Sequence, residues 1–222
     1  MQPEFAKAID PIFVAAIRLE KRIESQVQVV TADERATLIR KIEEAESKLG
    51  MREEWKLSKY AICACIDSRL IEMRWQSRDW WKDNCLEKKF FGTRDAHEEF
   101  FRKAIDAGAL PQKNALEVFY LAVVLGFRGF YTNSDHTYSR KMSNQLRIPE
   151  TIEAWCREVA RSLHLRQGRP EIPGMIQTGA SAKPVNGKST FILFSMLSTI
   201  LVALALACGI LFYARFSNTF TN

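Results

Sequence analysis

Gly187-Lys188-Ser189-Thr190 carries the ending of a phosphate-binding loop, in which backbone amides wrap a phosphate and the lysine neutralises it. That loop needs an earlier glycine where this chain has Ala182, and it should join a strand to a soluble helix. Here it joins a proline-rich stretch to a long apolar run, so nucleotide chemistry is not expected. His97, His136 and His164 are scattered, and no H-E-x-x-H, G-x-S-x-G or Cys/His nucleophile arrangement accompanies them. Asp135 beside His136 reads as a helix-capping acid next to an exposed histidine. The acidic groups Glu43, Glu44 and Glu46, and Glu98 and Glu99, fall among lysines and arginines and read as solvated helix faces. These residues nominate no catalytic site, no metal site and no cofactor.

Of five cysteines, Cys208 lies in the apolar run, leaving Cys63, Cys65, Cys85 and Cys156 upstream. No C-x-x-C pair or metal spacing joins them, so they are expected to be free, buried thiols of a reducing compartment. The net charge of +6 is modest, and Glu43, Glu44 and Glu46 are interleaved with Arg40, Lys41 and Lys48. There is no polybasic block for a nucleic-acid backbone.

The elements that position these residues are helical throughout. Phe5, Ile9, Ile12, Phe13, Ala16 and Ile17 recur at three- and four-residue spacing, with Pro11 expected to end or kink the helix and begin a second piece. Thr31 and Glu34 have the reciprocal spacing of a capping box, opening a helix that carries Leu38, Ile42, Ala45 and Leu49 inward and stops at Gly50. A third helix is expected from Glu53 to Trp75, with Asp67 in its middle. Short helical turns follow to Gly92, and Asp95 is placed to cap a helix containing Phe100, Phe101 and Ile105. Ala115 to Leu125 is apolar nearly all round and should be central. A shorter helix near Asp135 to Gln145 and a last one after Pro149 complete an all-α reading with one cytoplasmic helical domain over 1–165.

From Arg166 to Ser189 the composition turns to Pro, Gly and Ser, as in a flexible linker. Thr190 to Tyr213 then carries no charged residue and is long enough to span a bilayer core about 30 Å thick. Arg166, Arg169, Lys183 and Lys188 precede this run and only Arg215 follows it. Cytoplasmic flanks are the basic ones, so the large domain should face the cytoplasm and the tail 214–222 should cross. The amphipathic N-terminus, with Glu4 and Asp10, does not have the pattern of a secretory signal. Ala203, Ala207 and Gly209 offer close backbone approach for association of membrane helices.

Three blocks resemble the DotU/IcmH/TssL family of inner-membrane secretion proteins: Tyr60-Ala-Ile-Cys-Ala-Cys-Ile-Asp67; Trp75 through Phe90-Phe91-Gly92 to Glu98-Glu-Phe-Phe101; and Leu116-Glu-Val-Phe-Tyr-Leu-Ala-Val-Val-Leu-Gly-Phe-Arg-Gly-Phe-Tyr131. The family motif positions Trp75, Phe100, Phe101, Gly126, Phe127, Gly129 and Tyr131 are present. The chain departs from the pattern where an Asp-Glu pair becomes Asp67-Ser68, followed by Arg69. Arg128 stands in place of an acid between the two glycines, and Ala96-His97 in place of two glycines.

The resemblance implies two small helical bundles in a hook-like arrangement, tethered by one C-terminal transmembrane helix at the bacterial inner membrane. It implies no enzymatic activity. The partners it implies are a large IcmF/TssM-type membrane protein and cytoplasmic baseplate components of a type VI, or related type IVB, secretion system. The peptidoglycan-binding domain that some members carry after the anchor is not in this sequence. Asp67, Arg69, Trp80, Trp81 and Arg128 are the candidates for protein contact, with Trp80 and Trp81 open between core and recognition surface. Self-association through the membrane helix is also expected. A tail-anchored adaptor of another membrane process shares this layout, but should show long heptads or a groove-binding helix, and neither is evident.

Overall fold

A computed structural model describes residues 1–132 and 136–167. The phosphate-loop-like residues 187–190, the run 190–213 with Ala203, Ala207 and Gly209, Cys208 and the tail 214–222 lie outside the described residues. So do Asp135 and the side chains of His136 and His164.

Every regular element among the described residues is helical: α1 (Pro3–Glu24), α2 (Thr31–Leu49), α3 (Glu53–Glu72), α4 (Arg78–Asp83), α5 (Leu86–Phe91), α6 (Ala96–Ala109), α7 (Asn114–Val124), a 3-10 turn (Gly129–Thr132), α8 (His136–Leu146) and α9 (Ile152–Gln167). α1 and α2 pair with each other and lie against α3. On its other sides α3 packs against α4, α5, α6 and α7, while α6 carries the 3-10 turn, α8 packs on that turn and α9 packs on α7. The two groups of helices share α3 and one continuous core.

That arrangement follows from the composition of α3. Leu57, Tyr60, Ala61, Ile62, Cys63, Ala64, Cys65, Ile66 and Leu70 are all buried, so its burial runs round the helix instead of down one stripe. A helix apolar on all sides must be surrounded. α1 presents a single stripe instead, with Phe5, Ala8, Ile9, Ile12, Ala16, Leu19 and Ile23 buried.

Pro11 does not divide α1, which runs unbroken from Pro3 to Glu24. Both Pro11 and Lys7, whose carbonyl loses its partner to the missing N–H, are solvent-exposed, so water can satisfy the orphaned oxygen. The capping box is also absent. Val30 is the N-cap of α2 and Thr31 its first helical residue, with no side-chain cap bond. Gly50 does end α2, at φ +71. α3 stops at Glu72, and the Trp75 indole donates back to the Leu70 carbonyl at 2.7 Å, covering one of the last carbonyls of that helix.

One described stretch, Asn114–Thr132, is long and apolar enough to cross a membrane by length and composition. Half of it is buried inside the fold. Ala115, Val118, Phe119, Ala122 and Phe127 form the contact with α3, α6 and α9, and the helix breaks at Gly126, so this is the centre of the domain's core.

Candidate functional site: a carboxylate relay beneath a cleft

Two buried acids organise the region where the sequence places its motifs. Asp67, near the C-terminal end of α3, is 4% exposed. Its Oδ1 accepts the Trp81 indole N–H and the Leu86 amide, each at 2.9 Å, and its Oδ2 accepts the Glu87 amide at 2.8 Å. Leu86 and Glu87 are the first residues of α5, so Asp67 caps that helix from a distant part of the chain.

Glu87 then repeats the arrangement one helix further on. Its Oε1 accepts the Tyr60 hydroxyl at 3.0 Å, the Thr93 hydroxyl at 2.9 Å and the Asp95 amide at 2.9 Å, and its Oε2 accepts the Ala96 amide at 3.2 Å. The N-terminus of α6 is therefore held by Glu87, while Asp95, at the N-cap position, makes no side-chain cap bond. α3, α5 and α6 are stitched by two carboxylates whose lone pairs face donors of the fold.

Burial pushes the Asp67 carboxyl up to about 6, against the opposing pull of its hydrogen bonds from Leu86, Glu87 and Trp81. An acid whose folded value is raised adds stability when protonated. The contribution is complete below about pH 4 and is lost as pH rises through about 6, with ~3 kcal/mol as its upper bound. Urea unfolding of wild type should therefore show a stability component falling between those limits, and Asp67→Asn should flatten that component. An unchanged slope in the variant would rule out Asp67 as its source. Burial, followed by the charge of Glu87, raises the Tyr60 phenol so that it stays a donor.

Cys63, Cys65, Cys85 and Cys156 are free thiols, as expected. Burial raises Cys63 well above the ordinary thiol value and Cys65 to about 12, so neither supplies a thiolate nucleophile. Among the described residues no group of three or more His, Cys, Asp or Glu is placed to hold a metal ion.

Above the relay lies an open cleft of about 390 Å³, rimmed by Ser68, Glu72, Lys82, Arg94, His97 and Thr132. Of the candidates for protein contact, Asp67 and Trp81 are inside the core: Trp81 is 0% exposed and gives its only polar atom to Asp67. Trp80, one residue earlier, is 40% exposed. Adjacent residues on a short helix cannot both face inward, and Asp67 selects Trp81.

Arg69 is half-buried. Its Nη2 and Nε donate to Glu20 of α1 at 2.8 and 3.2 Å, and that bond is the first cause raising its guanidinium above the usual value. The same side chain lies on Gly126, where φ is +116 and an added Cβ would sit 3.0 Å from Arg69 Nη1. Arg128 is exposed, but its Nη1 donates to the Val123 and Phe127 carbonyls at 2.8 and 3.0 Å, closing the C-terminal end of α7. An acid at this position could not donate to those carbonyls, so the departure from the family pattern has a local structural use.

The remaining motif residues converge. Phe101 meets Phe100, Phe130, Tyr131 and Trp155 edge to face at centroid distances of 5.2, 5.0, 5.0 and 5.3 Å, and Phe127 stacks on Phe100 at 3.9 Å. Gly129, at φ +53, lets the turn close on this cluster, since a Cβ there would lie 3.0 Å from both Phe101 and Phe127. The Tyr131 hydroxyl donates to the Pro149 carbonyl at 2.5 Å. Trp75 stands apart from the cluster, tilted against Trp81 at 6.3 Å. Sequence reasoning did not single out Glu87 or Glu20. Each is one acid in a charged helix, and only the fold brings their donors to them.

The sequence matches the family described as type VI secretion system protein DotU over residues 4–217. Among solved structures, the chain is similar to the cytoplasmic domain of TssL from Acinetobacter baumannii at 18% identity and a TM-score of 0.56, covering 75% of this chain and 100% of that one. It also matches SciP/TssL of the type VI secretion system from enteroaggregative Escherichia coli 042 at 21% identity, with a TM-score of 0.45 and coverage of 64% and 89%. No curated protein matches the chain. The first likeness is one of fold, and it agrees with the all-helical architecture built around α3. With a match that extends from Glu4 to Ser217, the chain belongs to the DotU family of type VI secretion system proteins.

Proposed function

We propose that this chain is a non-enzymatic component of the inner-membrane complex of a type VI secretion apparatus, assembling with an IcmF/TssM-type protein and docking cytoplasmic baseplate components. The observation that carries this reading is the reach of the family match, which covers the helical domain and the apolar run at Thr190 to Tyr213 together. That run serves as a single anchor, with the N-terminal domain on the cytoplasmic side and the tail 214–222 beyond the membrane. Ala203, Ala207 and Gly209 are the small residues through which membrane helices would approach closely.

Within the domain, the relay supports a scaffold in preference to a catalyst. Asp67 and Glu87 hold helix ends through both of their carboxylate oxygens, so neither is an aimed base for a substrate in the cleft above. The exposed Trp80, with Lys82 and Arg94 at the cleft rim, is the surface for baseplate proteins, since Trp and Arg concentrate binding energy at interfaces. Arg69, bound to Glu20, and Arg128, at the end of α7, are further cations available for protein contact.

Affinity purification of the full chain from detergent-solubilised membranes tests the assignment. The IcmF/TssM-type protein should be recovered with it, and combined Trp80→Ala and Lys82→Glu changes should lower baseplate recovery several-fold while the membrane partner is retained. Recovery of the chain as a stable monomer, alone in both forms, would overturn the proposal.

A further inference from the structure

A groove between α1 and α2 shares no lining residue with the cleft above the relay. It is lined by Ala15, Arg18, Lys21 and Val27 on one side and by Glu34 and Lys41 on the other, with a volume of about 450 Å³. Glu34, the acid in its lining, is already paired with Arg22 at 2.5 Å. Arg18, Lys21 and Lys41 make no ion pair or side-chain hydrogen bond among the described residues.

Aliphatic side chains accompany these cations. Val14 and Ile17 are 42% and 47% exposed on α1, and Val27 is 52% exposed at the end of the groove. Val14, Arg18, Lys21 and Ser25 fall at four-, three- and four-residue spacing, which puts them on one face of α1. The buried stripe of that helix, from Phe5 to Ile23, lies elsewhere on its circumference. The outer face is therefore a second amphipathic surface, apolar and basic together.

We infer that the α1–α2 groove is a docking site for an acidic protein segment bearing an aliphatic or aromatic anchor residue. Charge complementarity selects the occupant: three uncommitted cations border a concave strip whose lining includes Ala15 and Val27. A depression between two helices suits a narrow protein segment better than a flat bilayer: Ala15 and Val27 line it, while Val14 and Ile17 lie on α1 outside it. From Val14 to Ser25 the face is roughly 16 Å long, so it accommodates about three turns of a bound helix. The site is remote in sequence from the cleft residues and does not depend on the secretion reading.

Fluorescence anisotropy with the full-length chain in nonionic detergent tests the groove. The probes are a labelled Glu/Leu amphipathic peptide of about three helical turns, its Lys/Leu counterpart, and a Glu-only peptide of equal length. The Glu/Leu peptide should bind, more weakly as salt rises. Arg18→Glu with Lys21→Glu and Lys41→Glu should reduce affinity by about tenfold or more, Arg18→Gln with Lys21→Gln and Lys41→Gln by less, and Val27→Ser severalfold. Lys88→Glu with Lys89→Glu, on α5, should change nothing. Circular dichroism and thermal unfolding of each variant should match wild type.

Equal binding of the Glu-only peptide would reduce the groove to an ordinary solvated charged face and overturn the inference. So would unchanged affinity in the triple reversal. Failure of the peptide to bind, with Lys21 and Lys41 instead shielded from acetylation by phosphatidylglycerol-doped micelles, would give this face to lipid. Loss of the IcmF/TssM-type partner with peptide binding intact would sink the assembly proposal alone.

Discussion

Asp67→Ala is expected to destabilise the helical domain by on the order of 4 kcal/mol, enough to leave a large unfolded fraction at 37 °C. The substitution removes the acceptor for three buried donors: the Trp81 indole and the amides of Leu86 and Glu87. An orphaned buried donor costs about 1–3 kcal/mol, and partial relaxation of the short α4–α5 segment keeps the sum below three full penalties. The damage also propagates. Glu87 sits one residue inside α5, so a displaced α5 moves the carboxylate that holds Asp95 and Ala96 at the start of α6. Urea titration with paired near- and far-UV circular dichroism measures the loss. Ser68→Ala is the control, because the Ser68 hydroxyl bonds only to Glu72 at an exposed position, and its effect should stay within about 0.5 kcal/mol. Wild-type stability in Asp67→Ala would show that the relay contributes nothing to folding.

Phe101→Ala should cost about 4 kcal/mol, at the upper part of the range for a large core aromatic. Phe101 is 0% exposed and touches residues of three elements and one connection: Phe100 on its own helix, Phe127 after α7, Phe130 and Tyr131 in the 3-10 turn, and Trp155 on α9. Cavity formation and lost edge-to-face contacts therefore fall on the attachment of α9. Hydrogen exchange should quicken through α9 and the turn before it quickens in α1 and α2, whose packing on α3 does not involve this ring. Phe101→Leu should recover roughly half of the loss. Uniform exchange across all helices would argue against a local role for Phe101.

These two sites differ in how visible they are from sequence. Phe100, Phe101, Gly126, Phe127, Gly129 and Tyr131 are apolar or conformationally special residues at helical spacing, and apolar pattern is the information that survives without coordinates. All but Gly126, which lies under Arg69, form the cluster their types suggest. Asp67 and Trp81 have no such pattern. A lone carboxylate in a helix looks solvated until the amides of Leu86 and Glu87 arrive from beyond an intervening turn. Trp80 and Trp81 are identical in kind, and only the position of Asp67 distinguishes them. Helix ends misled for a related reason: Thr31 and Asp95 have capping chemistry, yet Val30 holds the cap position of α2 and Glu87 supplies the acceptor for α6. Pro11 shows the same limit, since a proline is tolerated inside a helix more readily where it and the residue four earlier are exposed, as Pro11 and Lys7 are.

The all-round burial of α3 bears on how such a domain can change over time. Because α1–α2 covers one side of this helix and α4 to α7 cover the others, neither group can be exchanged for an unrelated module without exposing Ile62, Ile66 or Cys65. Arg69 adds a polar bond across that seam, from α3 to Glu20, over the bare backbone of Gly126. Recombination inside 1–132 therefore breaks the core wherever it cuts, and variation is channelled to side chains on the outer faces of helices, where charge can be rewritten while the spine stays fixed.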